Sequence, residues 1–368
     1  MRKSTPLIGI STAIHERKVV WTGPQTRPRQ TDVARAAGVS QATVSSVLNG
    51  QASGRRIPPE TIEKVERAIR TLGYVPDVIA RSLQGMSNQL LGVHTYESMF
   101  PIDHHDYYQP FLLGIEEEAE AAGYDLVLFT STRDEEGVRR VYKNGTNRLK
   151  VADGCIFVGI RVDKAELRRL AAEDYPFVFI GKRDIPGIDL HFVTGNYADS
   201  TAQVVHTLAD LGHVRIGHLQ QRDRDEPRQD LARGRRRGLA DRGLPAVRPV
   251  VAEPGAIGPT TLRGLLDSRL TAVLVDNAVQ AAALGKAARA AKLRIPADLS
   301  VVVLQDTPPP NPQRSARDWT CLRMPRVELG RLGVRLLLSL LNGSAGTAPL
   351  VAQCGFHPGA TIGRPRTI

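Results

Sequence analysis

The chain is 368 residues long, carries a formal net charge of +11 and contains three cysteines. That length holds about two to three compact units, and the basic balance is compatible with a polyanion partner. Cys155, Cys321 and Cys354 lie far apart with no CxxC, which argues for reduced buried thiols in a cytosolic protein and against a disulfide framework or zinc site; no apolar run approaches the ~20 residues of a membrane span, so no membrane partner is expected.

Residues 1-28 have a basic start and a short apolar patch, Pro6 to Ile14. Ser11 and Thr12 interrupt the patch and it lacks a clean cleavage site, which argues against export. The stretch reads as a disordered extension or as the product of an upstream start codon wrongly chosen. Residues 29-75 read as a small helical head. Thr31 or Asp32 can cap a first helix whose inner face is Val33, Ala34 and Ala37. Gly38 makes a tight turn, and Ser40 is a good N-cap for a second helix from Gln41 to Leu48. Val44, Val47 and Leu48 point inward at helical spacing, which leaves Gln41, Ala42, Ser45, Ser46 and Asn49 facing out. Two short helices around a glycine turn, the second with small polar residues outside, form the helix-turn-helix pattern, whose second helix enters the DNA major groove. A third helix opens at Pro58-Pro59 and runs to about Leu72, where Gly73 stops it.

Residues 76-86 carry a short segment, Val78 to Gln84, closed by Gly85. Residues 87-368 then alternate strands with helices. Strands are expected at Leu90–Tyr96, Tyr124–Thr130, Gly154–Ile160 and Phe177–Gly181, with helices at Phe111–Ala122, around Glu135–Lys150, and at Lys164–Glu173. The rhythm restarts with a helix at Thr201–Leu211 and strands near Leu211–Gln220, Val247–Ala252, Thr271–Asp276 and Ser300–Gln305. Helices fall at Asp230–Arg242, Thr260–Leu266, Val279–Ala291 and Val327–Leu341. This βαβ order implies parallel sheets with helices on both faces, an α/β core.

At this point DVARAAGVSQATVSSVLNG, GYVPDVIARSLQG and the strand LLGVHTY resemble the head, hinge helix and first core strand of the LacI (lactose-repressor) family of bacterial transcription regulators. The likeness runs from about Gln30 to near the C-terminus and is stronger in the head than in the core. It implies a two-lobed, periplasmic-binding-protein-like core, with chain crossovers near the middle and near residues 305–325. It also implies that Gln41, Ala42 and Ser46 reach base edges, where Gln can bond adenine, Ala can touch a thymine methyl and Ser reads weakly. Many family members carry Arg where Ser46 stands, so a standard operator half-site is not implied. Thr43, Ser45 and Asn49 fall at phosphate or structural positions, and Thr31, Ser40 and Tyr74 complete the DNA-facing set of the head. In the hinge, Leu83 matches an apolar minor-groove wedge, Ala80 the small residue beside it, and Arg81 can meet phosphate. A helix of that length is unstable alone and should order only when two hinges meet on DNA.

For the core the resemblance implies effector contacts at Tyr107 and Tyr108, just before the first core helix, and at Arg161, Asn277 and Gln305. Two acidic contacts common in the family are replaced here, which argues against an ordinary sugar; the effector is a sugar or another metabolite. The expectation is a cytoplasmic homodimer, a repressor that binds near-palindromic double-stranded operator DNA under control of a small molecule between the lobes. Asp103-His104-His105-Asp106 reads as a solvated loop, since adjacent residues do not converge on one metal. The basic run Arg233 to Arg237 reads as a helix face in solvent. There is no GxSxG, no P-loop and no GxGxxG after a strand, so neither an enzyme nor a cofactor is expected. An enzyme on this core and an exported solute-binding protein are the alternatives, and the head and hinge argue against both.

Overall fold

The computed structural model describes residues 28–48, 57–74, 87–97, 105–130, 133–134, 137–222, 226–305, 318–344, 346 and 348–366. The chain divides into two compact units between Met86 and Ser87.

The first unit holds three helices: α1 (Gln30–Ala37), α2 (Gln41–Leu48) and α3 (Pro59–Leu72). Val33, Ala34, Val44, Val65, Ala68 and Tyr74 form its buried core. The helix α1 begins at Gln30, one residue before the first cap expected from the sequence. Asp32 instead occupies the third helical position and accepts from the Arg29 backbone N–H at 2.8 Å, the returning half of a capping box. Ser40 caps α2 as expected, its hydroxyl accepting from the Thr43 N–H at 3.1 Å. Gly38 and Gly73 end α1 and α3 at φ of 68° and 61°, a region that glycine enters without steric cost.

The second unit is built on two six-stranded sheets. The first sheet contains β1 (Leu90–His94), β2 (Asp125–Leu128), β5 (Gly154–Val158), β6 (Phe177–Ile180), β7 (Phe192–Gly195) and β13 (Leu350–Ala352). Its order is β13-β7-β6-β5-β1-β2, parallel throughout. One face carries α4 (His105–Ala121) and α10 (Arg326–Leu341); the other carries α5 (Lys164–Ala172). The two-residue period of a strand decides which side chain goes where: Ile156 and Val158 meet α4 and α10, while Cys155 and Phe157 meet α5.

The second sheet contains β8 (Ile216–Gln220), β9 (Val250–Val251), β10 (Ala272–Val275), β11 (Ser300–Val303), β12 (Thr320–Arg323) and β14 (Gly355–His357). Its order is β14-β12-β11-β10-β8-β9, parallel except for the last pairing of β12 with β14. Helices α6 (Tyr197–Asp210) and α7 (Glu226–Asp241) cover one face, and α8 (Pro259–Asp267) and α9 (Ala278–Ala290) the other.

Each lobe contains one helix pair whose backbones touch through glycine. A Cβ on Gly114 of α4 would lie 1.9 Å from the Val327 carbonyl oxygen of α10, and one on Gly234 of α7 would lie 2.2 Å from that of Ala198. The chain passes between lobes three times, from β7 into α6, from β12 into α10 and from β13 into β14. The third passage, near Gln353, is additional to the two expected.

Three expectations are corrected. Around residues 135–150 the described residues form no α-helix. Among the described residues there, a hairpin of β3 (Tyr142–Lys143) and β4 (Thr146–Asn147) is followed by a 3₁₀ turn at Arg148–Val151. Asn144 and Gly145 turn the hairpin at φ of 50° and 76°, and Asn-Gly suits this conformation better than it suits a helix interior. The helix α4 starts at His105, so Tyr107 and Tyr108 lie inside it rather than before it. The basic run is not wholly in solvent: Arg235 is buried and donates to the Val247 carbonyl at 2.5 Å, while Arg233 and Arg237 pair with Asp230 and Asp199.

Candidate functional sites: a nucleic-acid interface and a ligand cleft

In the head, the start of α2 presents Gln41 and Ala42 to solvent beside exposed Ser40 and Thr31. Gln41 Nε2 donates weakly to Gln30 Oε1 at 3.4 Å, so its amide is held near the helix start and keeps free bonding capacity. Thr43 and Ser45 are half-buried. Ser46 departs from the sequence reading: it is 3% exposed, and its hydroxyl donates to the Ala42 carbonyl one turn back at 2.8 Å. A serine that bonds its own helix has already used its donor. Tyr74 departs too, for its ring is part of the head core rather than the surface. Asn49, Ala80, Arg81 and Leu83 lie outside the described residues.

In the core, the carboxyl ends of the strands gather the polar groups. Glu97, just past β1, is the centre of the first lobe's set. Its carboxylate accepts from the Tyr108 hydroxyl and from the Arg161 backbone N–H at 2.9 Å. The Tyr108 ring is buried among α4 and sheet side chains, and that burial, with the Glu97 carboxylate, pushes its phenol well above the ordinary range. Tyr107 stands edge-on to Tyr108 at 5.0 Å between ring centres, with the Arg326 guanidinium 5.5 Å from its ring centre. The Arg161 side chain is exposed. Behind it, buried Arg183 donates to the Gly159 carbonyl at 2.7 Å and covers the Phe179 ring.

The second lobe's set is a buried chain of side chains. His218 Nε2 shares a hydrogen bond with Asp276 Oδ1 at 2.7 Å, and Gln220 reaches His218 Nδ1 at 3.1 Å. The other Asp276 oxygen accepts from the Gln221 N–H at 2.8 Å. Asn277 is buried and caps α9, accepting from the Gln280 N–H at 3.0 Å. The cap engages its carbonyl oxygen, so a ligand contact of the kind expected would fall to the side-chain NH2. Gln305 is half-buried two residues beyond β11. The two lobes touch where the Asp184 N–H donates to Glu226 Oε1 at 3.2 Å; Asp184 follows β6 and Glu226 opens α7.

The structure thus joins Tyr108 and the Arg161 backbone to Glu97, sets Tyr107 against Tyr108, and places Asn277 and Gln305 at strand ends of the other lobe. Glu97, Arg183, His218 and Asp276 were not singled out from the sequence. For His218 and Asp276 a signal existed: polar residues at the inward period of otherwise apolar strands need partners. Among the described residues no group of three His, Cys, Asp or Glu side chains could hold a metal ion. No helix among them is long and apolar enough to cross a membrane. The cysteines Cys155, Cys321 and Cys354 are free thiols.

Residues 31–77 match the model for bacterial regulatory proteins of the lacI family. Residues 205–362 match that for a periplasmic binding protein-like domain. An uncharacterized HTH-type transcriptional regulator in the aml 5' region of Streptomyces limosus is 31% identical over 76% of this chain and 79% of its own. Catabolite control protein A of Priestia megaterium is 27% identical over 84% of this chain and 92% of its own. Among solved structures, the lac repressor dimer bound to operator and the anti-inducer ONPF superposes with a TM-score of 0.66 at 24% identity. It covers 91% of this chain and 99% of its own.

Proposed function

The chain belongs to the LacI family of bacterial regulatory proteins, DNA-binding regulators of transcription, and we propose that it acts as a cytoplasmic repressor switched by a small molecule between the lobes of its core. The observation that carries the reading is the division of labour in the fold. A three-helix head leaves Gln41 and Ala42 free at the start of α2, and a two-lobed core gathers polar groups at its strand ends.

In this reading residues 29-75 are the head, residues 76-86 the hinge helix and residues 87-368 the effector-binding and dimerisation core. A homodimer presents two heads to a near-palindromic operator, because two-fold protein symmetry asks for two-fold DNA. Gln41 and Ala42 read bases. Leu83 is the minor-groove wedge, beside Ala80 and Arg81. Ligand between Glu97, Tyr108 and Arg161 on one lobe and Asp276 and Gln305 on the other changes how the lobes close. That biases operator affinity by about 1–3 kcal/mol, reciprocally.

The test is selection of the preferred duplex from a random pool with the full chain, followed by binding at stepped salt. A near-palindromic consensus, a steep salt slope and loss of DNA bending in Leu83→Ala are expected. Recovery of no consensus, with a shallow slope, overturns the reading.

A further inference from the structure

On the α5 side of the first sheet three polar side chains are buried with nothing to bond. His94, the last residue of β1, is fully buried and neither ring nitrogen has a hydrogen-bond partner. Tyr96 stands edge-on to it at 5.1 Å between ring centres, its hydroxyl also unpartnered. Arg139 is 6% exposed, and its Nε and Nη1 have no partner. It lies two residues before Val141, and burial alternates from Arg139 to Tyr142, so Arg139 and Val141 share the inner face; Val141 belongs to the same buried cluster as Tyr96 and Phe157. Its charge is felt at the His94 ring.

Among the described residues the acids of this region have other partners, and Glu166 bears on the Tyr96 hydroxyl as well. Asp134 and Asp163 both receive Arg140, at 2.7 Å and 2.6 Å. Glu166 accepts the Val141 and Tyr142 backbone N–H groups at 2.9 Å and 3.3 Å. A second cation is close by, for Arg133 is the β-bridge partner of Arg139 and its charge bears on it. A guanidinium does not give up its proton in a protein, and a buried charge without a partner is among the most costly features a fold can carry. Its planar fork matches the oxygens of a phosphate or a carboxylate.

We propose that Arg139, with His94 and Tyr96 beside it, is the binding site for an oxyanion, the phosphate or carboxylate group of the small molecule that this regulator senses. Arg139 supplies the two-pronged donor. The His94 N–H supplies a single donor from the strand below, with the Tyr96 ring edge-on beside it. The consequence for DNA rests on the repressor reading above; the binding of the anion does not.

The experiment is thermal melting of the full chain at matched ionic strength with orthophosphate, glucose 6-phosphate, gluconate or glucose, for wild type, Arg139→Leu and Arg139→Lys. A ligand that binds only the folded state raises the melting temperature. We expect a rise of several degrees with at least one anion and none with glucose. A rise with orthophosphate or glucose 6-phosphate identifies a phosphate site, and a rise with gluconate alone a carboxylate site. Arg139→Leu should melt no lower than wild type without ligand, because it removes an unpaired buried charge, and should lose the response. Arg139→Lys, a point charge without the fork, should weaken it about tenfold and covers the case in which the leucine variant does not fold. An equal rise with glucose, no rise with any anion, or an undiminished response in both variants overturns the site. Operator binding in the same samples separates the two readings. Loss of the anion response with operator binding intact removes the site alone, and an intact response without operator binding removes the repressor alone.

Discussion

The Asn196 side-chain oxygen accepts from the backbone N–H of Cys354 at 2.7 Å, which ties the first passage between the lobes to the third. The backbone joins them again, Asn196 N–H to the Ala352 carbonyl at 2.9 Å, and the Ser200 hydroxyl donates to the same Asn196 oxygen at 2.9 Å. One amide thus fixes two strands where they leave one sheet for the other. Asn196→Ala strands the Cys354 donor and should cost about 1–3 kcal/mol in urea unfolding of the full chain. It should also change the affinity of any cleft ligand, since the passages between the lobes set the relative energy of open and closed forms. Unchanged stability would show that water replaces the amide without loss.

The crossing of α4 and α10 gives a second prediction. Gly114→Ala puts a methyl 1.9 Å from the Val327 carbonyl oxygen, and Gly330→Ala puts one 2.3 Å from that of Phe111. Neither neighbour is a flexible side-chain end, so the helices must separate, and each change should lower stability by about 1–3 kcal/mol or more. Gly264→Ala is the matched control. Gly264 lies in α8 with nothing within 4 Å of its added Cβ, and the change should raise stability by about 0.5–1 kcal/mol. Melting curves moving in opposite directions would confirm both.

The sequence pattern carried the α/β architecture because the strand and helix periods are strong here, as in Gly154–Val158 against Lys164–Ala172. It failed over residues 135–150, where a helix was expected and the Asn144-Gly145 pair turns a hairpin. That turn chemistry was present in the letters and was outweighed. The third passage between lobes follows a three-residue strand, too short for a periodic signal. Ser46 misled because small polar residues fit either face of a helix when their hydroxyl can bond the preceding turn. The role of Glu97 arises only when Tyr108 and Arg161, distant in the chain, fold against it.

The head separates Gln41 from Ser46 in a way that binding can check. Gln41→Ala should weaken the selected duplex by about 1–3 kcal/mol and relax preference at one base position, because a side-chain amide reads a base edge with two bonds. Ser46→Ala should leave affinity within about twofold, since its hydroxyl bonds Ala42 within the helix. Fluorescence anisotropy on consensus and scrambled duplexes measures both, and equal losses would return Ser46 to the base-reading face.

His94 makes stability depend on pH with a definite sign. Burial, and then the Arg139 charge, hold its imidazole at a pKa of about 3 against an ordinary 6.5. The faces around it are the Tyr96 and Phe157 rings, with Arg139 beyond, and Glu166 and Asp163 bear on Tyr96. Between those two values the unfolded chain binds a proton that the folded chain does not, so stability falls as pH falls through this window. The slope from this group is up to about 1.4 kcal/mol per pH unit, and the group adds none above about pH 7. His94→Phe removes it. The variant should therefore gain on wild type progressively from about pH 6.5 to pH 4 in urea unfolding; parallel curves would refute the assignment. An oxyanion on Arg139 cancels part of the charge that, after burial, helps to keep the ring neutral. Saturating phosphate should therefore flatten the wild-type slope and leave that of His94→Phe unmoved, a readout of the anion site that requires no DNA.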